Sequence, residues 1–232
     1  MSRRILLYSG MTVNSELKRE MCRVWARVMR LINPSIDILV FDTASKIKPA
    51  TFIEPGITIY PYGDNIGHLA HGGGDGSGRT FCDGLSQAIE LGYDYAVICE
   101  PDMYFIRPVQ QVVERMDKAS IKVGCLQMPF YQFFEWGFSV YNVEWVRRTK
   151  FVERYDWHNA KPIPIPEQRI EWLVGDDLFI LPYRGIRNSQ HWVNASNIAG
   201  FFPYGPPDWL HENAADDMST IHAFLKLNGI EV

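Results

Sequence analysis

Gly92-Tyr93-Asp94-Tyr95-Ala96-Val97-Ile98-Cys99-Glu100-Pro101-Asp102-Met103-Tyr104-Phe105 is the stretch on which the reading of this chain turns. Tyr95 to Cys99 is a continuous apolar run bounded by turn residues, the pattern of a strand buried on both faces of a parallel sheet. It delivers Glu100 and Asp102 at its carboxyl end, the end at which open α/β sheets bind ligands. Two carboxylates one residue apart can point into one crevice and hold a hard divalent cation through oxygen. Pro101 between them fixes one backbone torsion and limits how far the pair can splay. An E-x-D triplet alone is common by chance, so its weight rests on what surrounds it.

Immediately upstream, Arg79 to Leu91 places Phe81, Leu85, Ala88 and Ile89 on one helical face, and Gly92 stands in the C-terminal position that favours glycine. Further back, Ile5 to Tyr8 is a short buried-strand signal ended by Ser9-Gly10. From Ser15 to Ile32, Leu17, Met21, Val24, Trp25, Val28 and Ile32 share a helical face until Asn33-Pro34. Ile36 to Phe41 is a second strand, ending at Asp42. Strand, helix and strand in this order make a βαβ unit, which implies a parallel sheet and puts Tyr8, Ser9 and Asp42 at its ligand edge. Ile57 to Tyr60 is a third strand. His68 to Gly78, holding Gly72, Gly73, Gly74, Gly76 and Gly78, is predicted to be a mobile loop.

Downstream, the pattern predicts a helix over Val109 to Ala119, strands at Ile121 to Leu126 and Phe138 to Tyr141, and one helix over Asn142 to Tyr155. The alternating prolines of Lys161 to Pro166 predict an extended connection. Met218 to Leu227 is the last helix, and Ile230 to Val232 is expected to begin a further strand.

The composition fits one soluble α/β domain: 232 residues, 47% hydrophobic and 22% charged. A formal charge of -4 offers no electrostatic reason to expect nucleic acid or an anionic membrane. Four widely spaced cysteines without a C-x-x-C pair read as reduced, buried thiols. The opening Met1-Ser2-Arg3-Arg4 precedes no signal-peptide core, and no apolar run approaches the roughly 20 residues that span a bilayer. The chain is expected to be cytoplasmic, with no transmembrane segment.

Gly78-Arg79, Gly84-Leu85, Ala88 and the block from Gly92 to Phe105 together resemble the central block of GT-A glycosyltransferases, in which a basic residue opens a helix of small residues and a hydrophobic strand leads to a D-x-D motif. Here Glu100 stands where that motif has its first Asp. The resemblance implies an α/β fold: a single GT-A-like domain, its mostly parallel sheet flanked by helices, with a smaller acceptor-side subregion. Residues 1–107 would form the nucleotide-sugar-binding half and 108–232 the acceptor-binding half. It implies sugar transfer from a UDP- or GDP-linked donor to a carbohydrate or other hydroxyl acceptor, with Mn²⁺ or Mg²⁺ on the diphosphate.

Carried onto this sequence, the resemblance makes Asp102 a metal ligand and Glu100 a metal or ribose contact. Tyr8 would stack on the base, Ser9 and Asp42 would grip the nucleotide, and Arg79 and Asp83 would contact the donor. A late histidine, His191 or His211, would complete the metal shell. Gly137 to Asn142 resembles an acceptor-binding turn. The second acidic motif has two candidates, Gly175-Asp176-Asp177 and Asp216-Asp217, although paired acids also serve as ordinary helix caps. Asp177 is taken as the general base of an inverting reaction, with Trp172 and Phe179 as a sugar-stacking wall. A competing reading is a phosphate-binding loop at Gly73 to Thr80, weakened by Arg79 in place of Lys and by the like charge of Asp75. Another is a non-catalytic sugar-binding domain on the same fold.

Overall fold

A computed structural model describes residues 3–68, 72–127, 134–159, 166–188, 194–201, 205–213 and 215–232. Its main sheet holds β1 (Ile5–Met11), β2 (Asp37–Asp42), β3 (Ile57–Pro61), β4 (Tyr95–Cys99), β6 (Val123–Gln127), β7 (Phe134–Asn142) and β8 (Leu178–Ile180). The seven strands run in the order β3-β2-β1-β4-β7-β6-β8. All neighbours pair in parallel except β7, which is antiparallel to both β4 and β6.

The two-residue period of a strand sends alternate side chains to opposite faces, and each face meets its own helix. Ile5 and Leu7 of β1 join Val40 and Val97 beneath α1 (Glu16–Ile32), against Val24, Trp25 and Val28. Leu6 and Tyr8 join Leu39, Phe41 and Ala96 beneath α2 (Gly76–Glu90), against Phe81, Leu85 and Ala88. Burying a side chain such as Leu7 or Val28 contributes about 1.5–3 kcal/mol. A Cβ at Gly84 would lie 2.1 Å from the Tyr8 ring, so α2 sits this low on the sheet only because glycine faces it. Ser15 caps α1 by accepting from Lys18 N at 3.2 Å. At its other end, Asn33 accepts from Val109 N at 2.8 Å and ties α1 to the start of α3 (Val109–Lys118).

Several boundaries differ from the sequence expectation, each for a tertiary reason. β1 continues past Ser9-Gly10 because Gly10 and Met11 remain in the ladder opposite Phe41 and Asp42. α2 begins at Gly76, not Arg79, because the Asp75 carboxylate caps it by accepting from Gly78 N at 2.7 Å. Gly76 and Gly78 are thus helical and not part of a loop. The single helix expected over Asn142 to Tyr155 is two, α4 (Val143–Arg148) and α5 (Phe151–Tyr155), parted at Lys150 where φ is 52°. A left-handed backbone cannot be carried within an α-helix. Pro166 opens α6 (Pro166–Val174), a position that suits proline; residues 161–165 lie outside the described ones. Ile230 to Val232 joins no strand.

A second sheet was not foreseen. β5 (Met103–Phe105), β9 (Gly185–Arg187) and β10 (Trp209–His211) form it in the order β5-β10-β9. Strands of three residues are too short to leave a periodic signal. This small sheet nevertheless positions the site, because β5 follows the Glu100-Pro101-Asp102 turn and β10 ends in a histidine. No helix among the described residues is long and apolar enough to cross a membrane.

Candidate active site

Beyond Cys99 the chain turns sharply. Glu100 N donates to Gly137 O at 2.8 Å, and Met103 N donates back to Glu100 O at 3.0 Å. The turn lifts Glu100 and Asp102 out of the sheet's carboxyl edge. β10 then pairs antiparallel with β5, placing His211 opposite Met103, and Glu212 N extends the ladder by donating to Asp102 O at 2.9 Å. A residue from the far end of the chain is thereby set beside the two carboxylates.

His211 Nε2 lies 3.3 Å from Asp102 Oδ1 and 3.5 Å from Glu100 Oε2. One donor atom from each of the three residues falls within 4.8 Å of the others. Two carboxylates and an imidazole on one small volume are a fitting ligand set for a divalent cation such as Mn²⁺ or Mg²⁺. On the far side of the ring, Nδ1 stands 3.1 Å from Glu135 Oε1. The approach is oblique, a contact between charges and not a linear hydrogen bond.

The electrostatics follow from packing these groups together with the imidazole buried. Burial opposes protonation of His211, but Glu135 and Asp102 outweigh it and hold the imidazole well above its ordinary value. Burial would raise both acids, yet His211 keeps Asp102 and Glu135 below the usual carboxylate range. Burial, then Asp102 and Glu135, push Glu100 up to about 7 against the pull of His211. With 43% of the Glu100 side chain exposed, solvent moderates that rise. The imidazolium proton therefore stands where a cation would bind, and a metal must displace it. Lys18 Nζ, from the first turn of α1, lies 3.8 Å from Asp102 Oδ2.

The cluster opens into a crevice of about 870 Å³ that runs past Thr12 and Lys18 to Tyr62 and Arg79. This is within the range of small-molecule sites, roughly 300–1,000 Å³. At its far end the Arg79 guanidinium sits 3.9 Å from the Tyr62 ring centroid and donates to Asp64 Oδ1 at 2.7 Å. Tyr62 donates to Asp83 Oδ2 at 2.6 Å. Arg79 and Asp83 are thus brought together around Tyr62, an aromatic residue that the sequence reading did not select.

Other assignments are corrected. Tyr8 is fully buried, its hydroxyl donating to Phe81 O at 3.1 Å, and burial pushes the phenol well above its ordinary value; it offers no face to a base. Ser9 and Asp42 are buried too, Asp42 accepting from Ser45 N at 2.9 Å. The cause is the longer β1, which moves the ligand edge to Thr12 and Thr43, whose hydroxyls bond to each other. Asp177 is at the wrong edge of the sheet. Through the ladders, Leu178 is level with Val123, Tyr141 and Ala96, so Asp177 lies level with Tyr95. That is five residues short of Glu100, or about 16 Å at ~3.3 Å per residue. Its carboxylate accepts from Trp145 Nε1 at 2.8 Å. Trp172 and Phe179 are exposed and do not line the crevice.

Asp217 is exposed and accepts from Ser219 N at 2.7 Å, a local turn just ahead of the last helix, Ser219–Leu227, whose cap position is Met218. Gly137 to Asn142 is interior strand and not an acceptor-facing turn. The Gly73 to Thr80 loop is no phosphate cradle, since the Asp75 carboxylate already occupies a first-turn N–H of α2. His191 lies outside the described residues. Glu135 was missed, although a lone acid between Phe134 and Trp136 in an aromatic run is a signal of a buried, paired charge.

No family model and no curated protein sequence matches this chain. Solved structures do match it in fold. The glycosyltransferase GlyE of Streptococcus pneumoniae superposes with a TM-score of 0.58 at 12% identity, covering 94% of this chain, which spans 56% of GlyE. The galactosyltransferase LgtC, solved with donor and acceptor sugar analogs, gives 0.59 at 12% identity over 97% of this chain and 95% of its own. A glycosyltransferase involved in glycosylation of the major capsid of PBCV-1 gives 0.56 at 10% identity, covering 98% of this chain and 100% of its own. The chain has the GT-A fold, a mixed α/β domain around a mostly parallel sheet.

Proposed function

We propose that this protein is a metal-dependent glycosyltransferase that moves a sugar from a nucleoside diphosphate donor to an acceptor hydroxyl. The observation that carries the reading is the convergence of Glu100, Asp102 and His211 at the carboxyl end of β4, at the mouth of a crevice large enough for a nucleotide sugar. The fold supports it, since the similar structures named above are glycosyltransferases and one of them holds donor and acceptor sugar analogs.

In this reading Asp102 and His211 hold the cation directly, and Glu100 ligates it or reaches the ribose. Imidazole among the donors favours Mn²⁺ over Mg²⁺, which prefers all-oxygen shells. When bound, the cation neutralises charge developing on the diphosphate leaving group, worth several kcal/mol. Lys18, beside Asp102, supplies a second positive charge to the same diphosphate. Arg79, Asp83 and Tyr62 form the donor contact at the far end, with Thr12 and Thr43 between. Residues 1–107 serve the donor and 108–232 the acceptor, except that His211 reaches back across that division. Four unpaired, buried cysteines support a cytoplasmic location.

Thermal unfolding against a panel of UDP- and GDP-sugars, with and without Mn²⁺, tests the proposal. A donor that binds the folded state raises its midpoint, and the rise should require the metal. No metal-dependent shift with any nucleotide sugar would overturn the reading.

A further inference from the structure

β7 is irregular where it passes the site. Its ladder to β6 jumps, with Cys125 opposite Ser139 but the next residue, Leu126, opposite Glu135. Trp136, Gly137 and Phe138 are the surplus, a bulge of the kind that re-aims side chains beside functional sites. Glu135 is turned back so that Oε1 accepts from Gly137 N at 3.0 Å and faces His211 Nδ1 at 3.1 Å. A Cβ at position 137 would lie 3.0 Å from Glu135 Oε1 and 3.1 Å from Glu100 Oε2. Glycine there leaves room for two carboxylates that both close on the space a side chain would fill.

Glu135 is 1% exposed. A carboxylate so enclosed is unfavourable unless charge compensates it, and its neighbours are His211 and, from Oε2, Arg187 Nη1 at 3.9 Å. Neither Glu135 Oε2 nor His211 Nδ1 makes an aligned hydrogen bond among the described residues. We infer that Glu135 is a positioning residue for the metal site, holding the His211 ring with its N–H on Nδ1 so that the Nε2 lone pair faces Asp102 and Glu100. Neutral imidazole carries one N–H, and the tautomer is set by what the other nitrogen meets. The opposite tautomer would put a proton where the cation belongs and turn a lone pair toward a buried carboxylate. The inference rests on the metal reading above and adds the residue that selects the tautomer and orients the ligand.

The test is calorimetric titration of MnCl₂ into the full chain, as wild type, Glu135→Gln and Glu135→Ala, with ¹⁵N spectra of His211 in the Mg²⁺-loaded wild type. Loss of such an outer partner typically weakens metal affinity about 10- to 100-fold. That loss is expected for Glu135→Ala. Glu135→Gln, whose amide oxygen can face Nδ1–H from the same place, should recover only part of it, and the residual loss in this isosteric variant is what a general packing defect would not produce. The spectra should place the proton on Nδ1. Unchanged Mn²⁺ affinity in both variants overturns the inference and leaves the metal site standing, whereas a proton on Nε2 in the loaded protein overturns the inference and removes His211 from the ligand set as well. A wild type that binds no Mn²⁺ brings down both readings, which separates the two failures. Should Glu135→Ala not fold, the glutamine variant and the wild-type spectra decide.

Discussion

His211 Nε2 stands 3.3 Å from Asp102 Oδ1 because Met103, the residue after Asp102, is the cross-strand partner of His211. The candidate ligand pair is therefore built into a sheet ladder and not left to a flexible loop. Scaffolding of this kind holds a site to tight tolerances.

Asp102→Ala is expected to abolish Mn²⁺-dependent binding of UDP or GDP while the chain remains folded, since Asp102 lies on a turn at the sheet's edge and outside the core. Calorimetry of nucleotide with and without Mn²⁺ reads this directly. Unchanged metal-dependent affinity would remove Asp102 from the site.

Stability and metal binding should respond to pH in opposite directions. His211 is held well above its ordinary 6.5, so its contribution to stability is complete below that value and is lost as pH rises through the raised one. Glu100, raised from 4.5 to about 7, acts in the same direction, losing its contribution as pH climbs through that window. Asp102 and Glu135 are depressed, so their contributions are present above the ordinary carboxylate range and are lost only as pH falls through their lowered values. The metal-free protein should accordingly lose thermal stability as pH rises from 4.5 to about 7, through Glu100, and further above 6.5, through His211. The stabilisation conferred by Mn²⁺ should grow over the same interval, because the cation replaces the His211 proton. Unfolding midpoints measured across pH with and without Mn²⁺ check both slopes, and parallel slopes would contradict the shared site.

Lys18→Met should separate metal from nucleotide. Its ammonium, 3.8 Å from Asp102 Oδ2 and 47% exposed, competes weakly with a cation for that carboxylate. Exposed pairs are worth about 0.2–1 kcal/mol, so Mn²⁺ alone should bind the variant no weaker and up to severalfold tighter. UDP affinity in the presence of Mn²⁺ should fall, since a charge facing the diphosphate is gone. A fall in both affinities would place Lys18 in the metal site itself.

Asp177→Asn should leave sugar transfer within a few-fold of wild type. Removing a positioned general base typically lowers the rate about 10²- to 10⁴-fold, but Asp177 lies at the opposite end of the strands from Glu100, bonded to Trp145. A transfer assay distinguishes these outcomes easily. A loss of the larger size would contradict the strand register.

The elements governed by local pattern were legible in the sequence. Tyr95 to Cys99 reads as a buried strand, and Glu100 and Asp102 fall at its ligand end, because an apolar run and the turn after it are written in adjacent residues. The same holds for α1, whose buried face carries the predicted Met21, Val24, Trp25 and Val28, and for the parallel β1-α1-β2 unit. The resemblance pointed to the GT-A fold, and to His211 as one of two late histidines.

What depends on pairing between distant segments was decided by the tertiary structure alone. Tyr8 is core and Thr12 is edge because β2 holds β1 in register as far as Met11. Asp177 is excluded because β6 and β8 run parallel from the far side of the sheet. His211 meets Asp102, and Glu135 meets His211, through a three-residue strand and a bulge too short to leave a periodic trace. A side chain's type and periodicity are local properties of the chain. The end of the sheet on which it emerges is set by hydrogen-bonded partners far away in sequence, and those form only when the whole fold does.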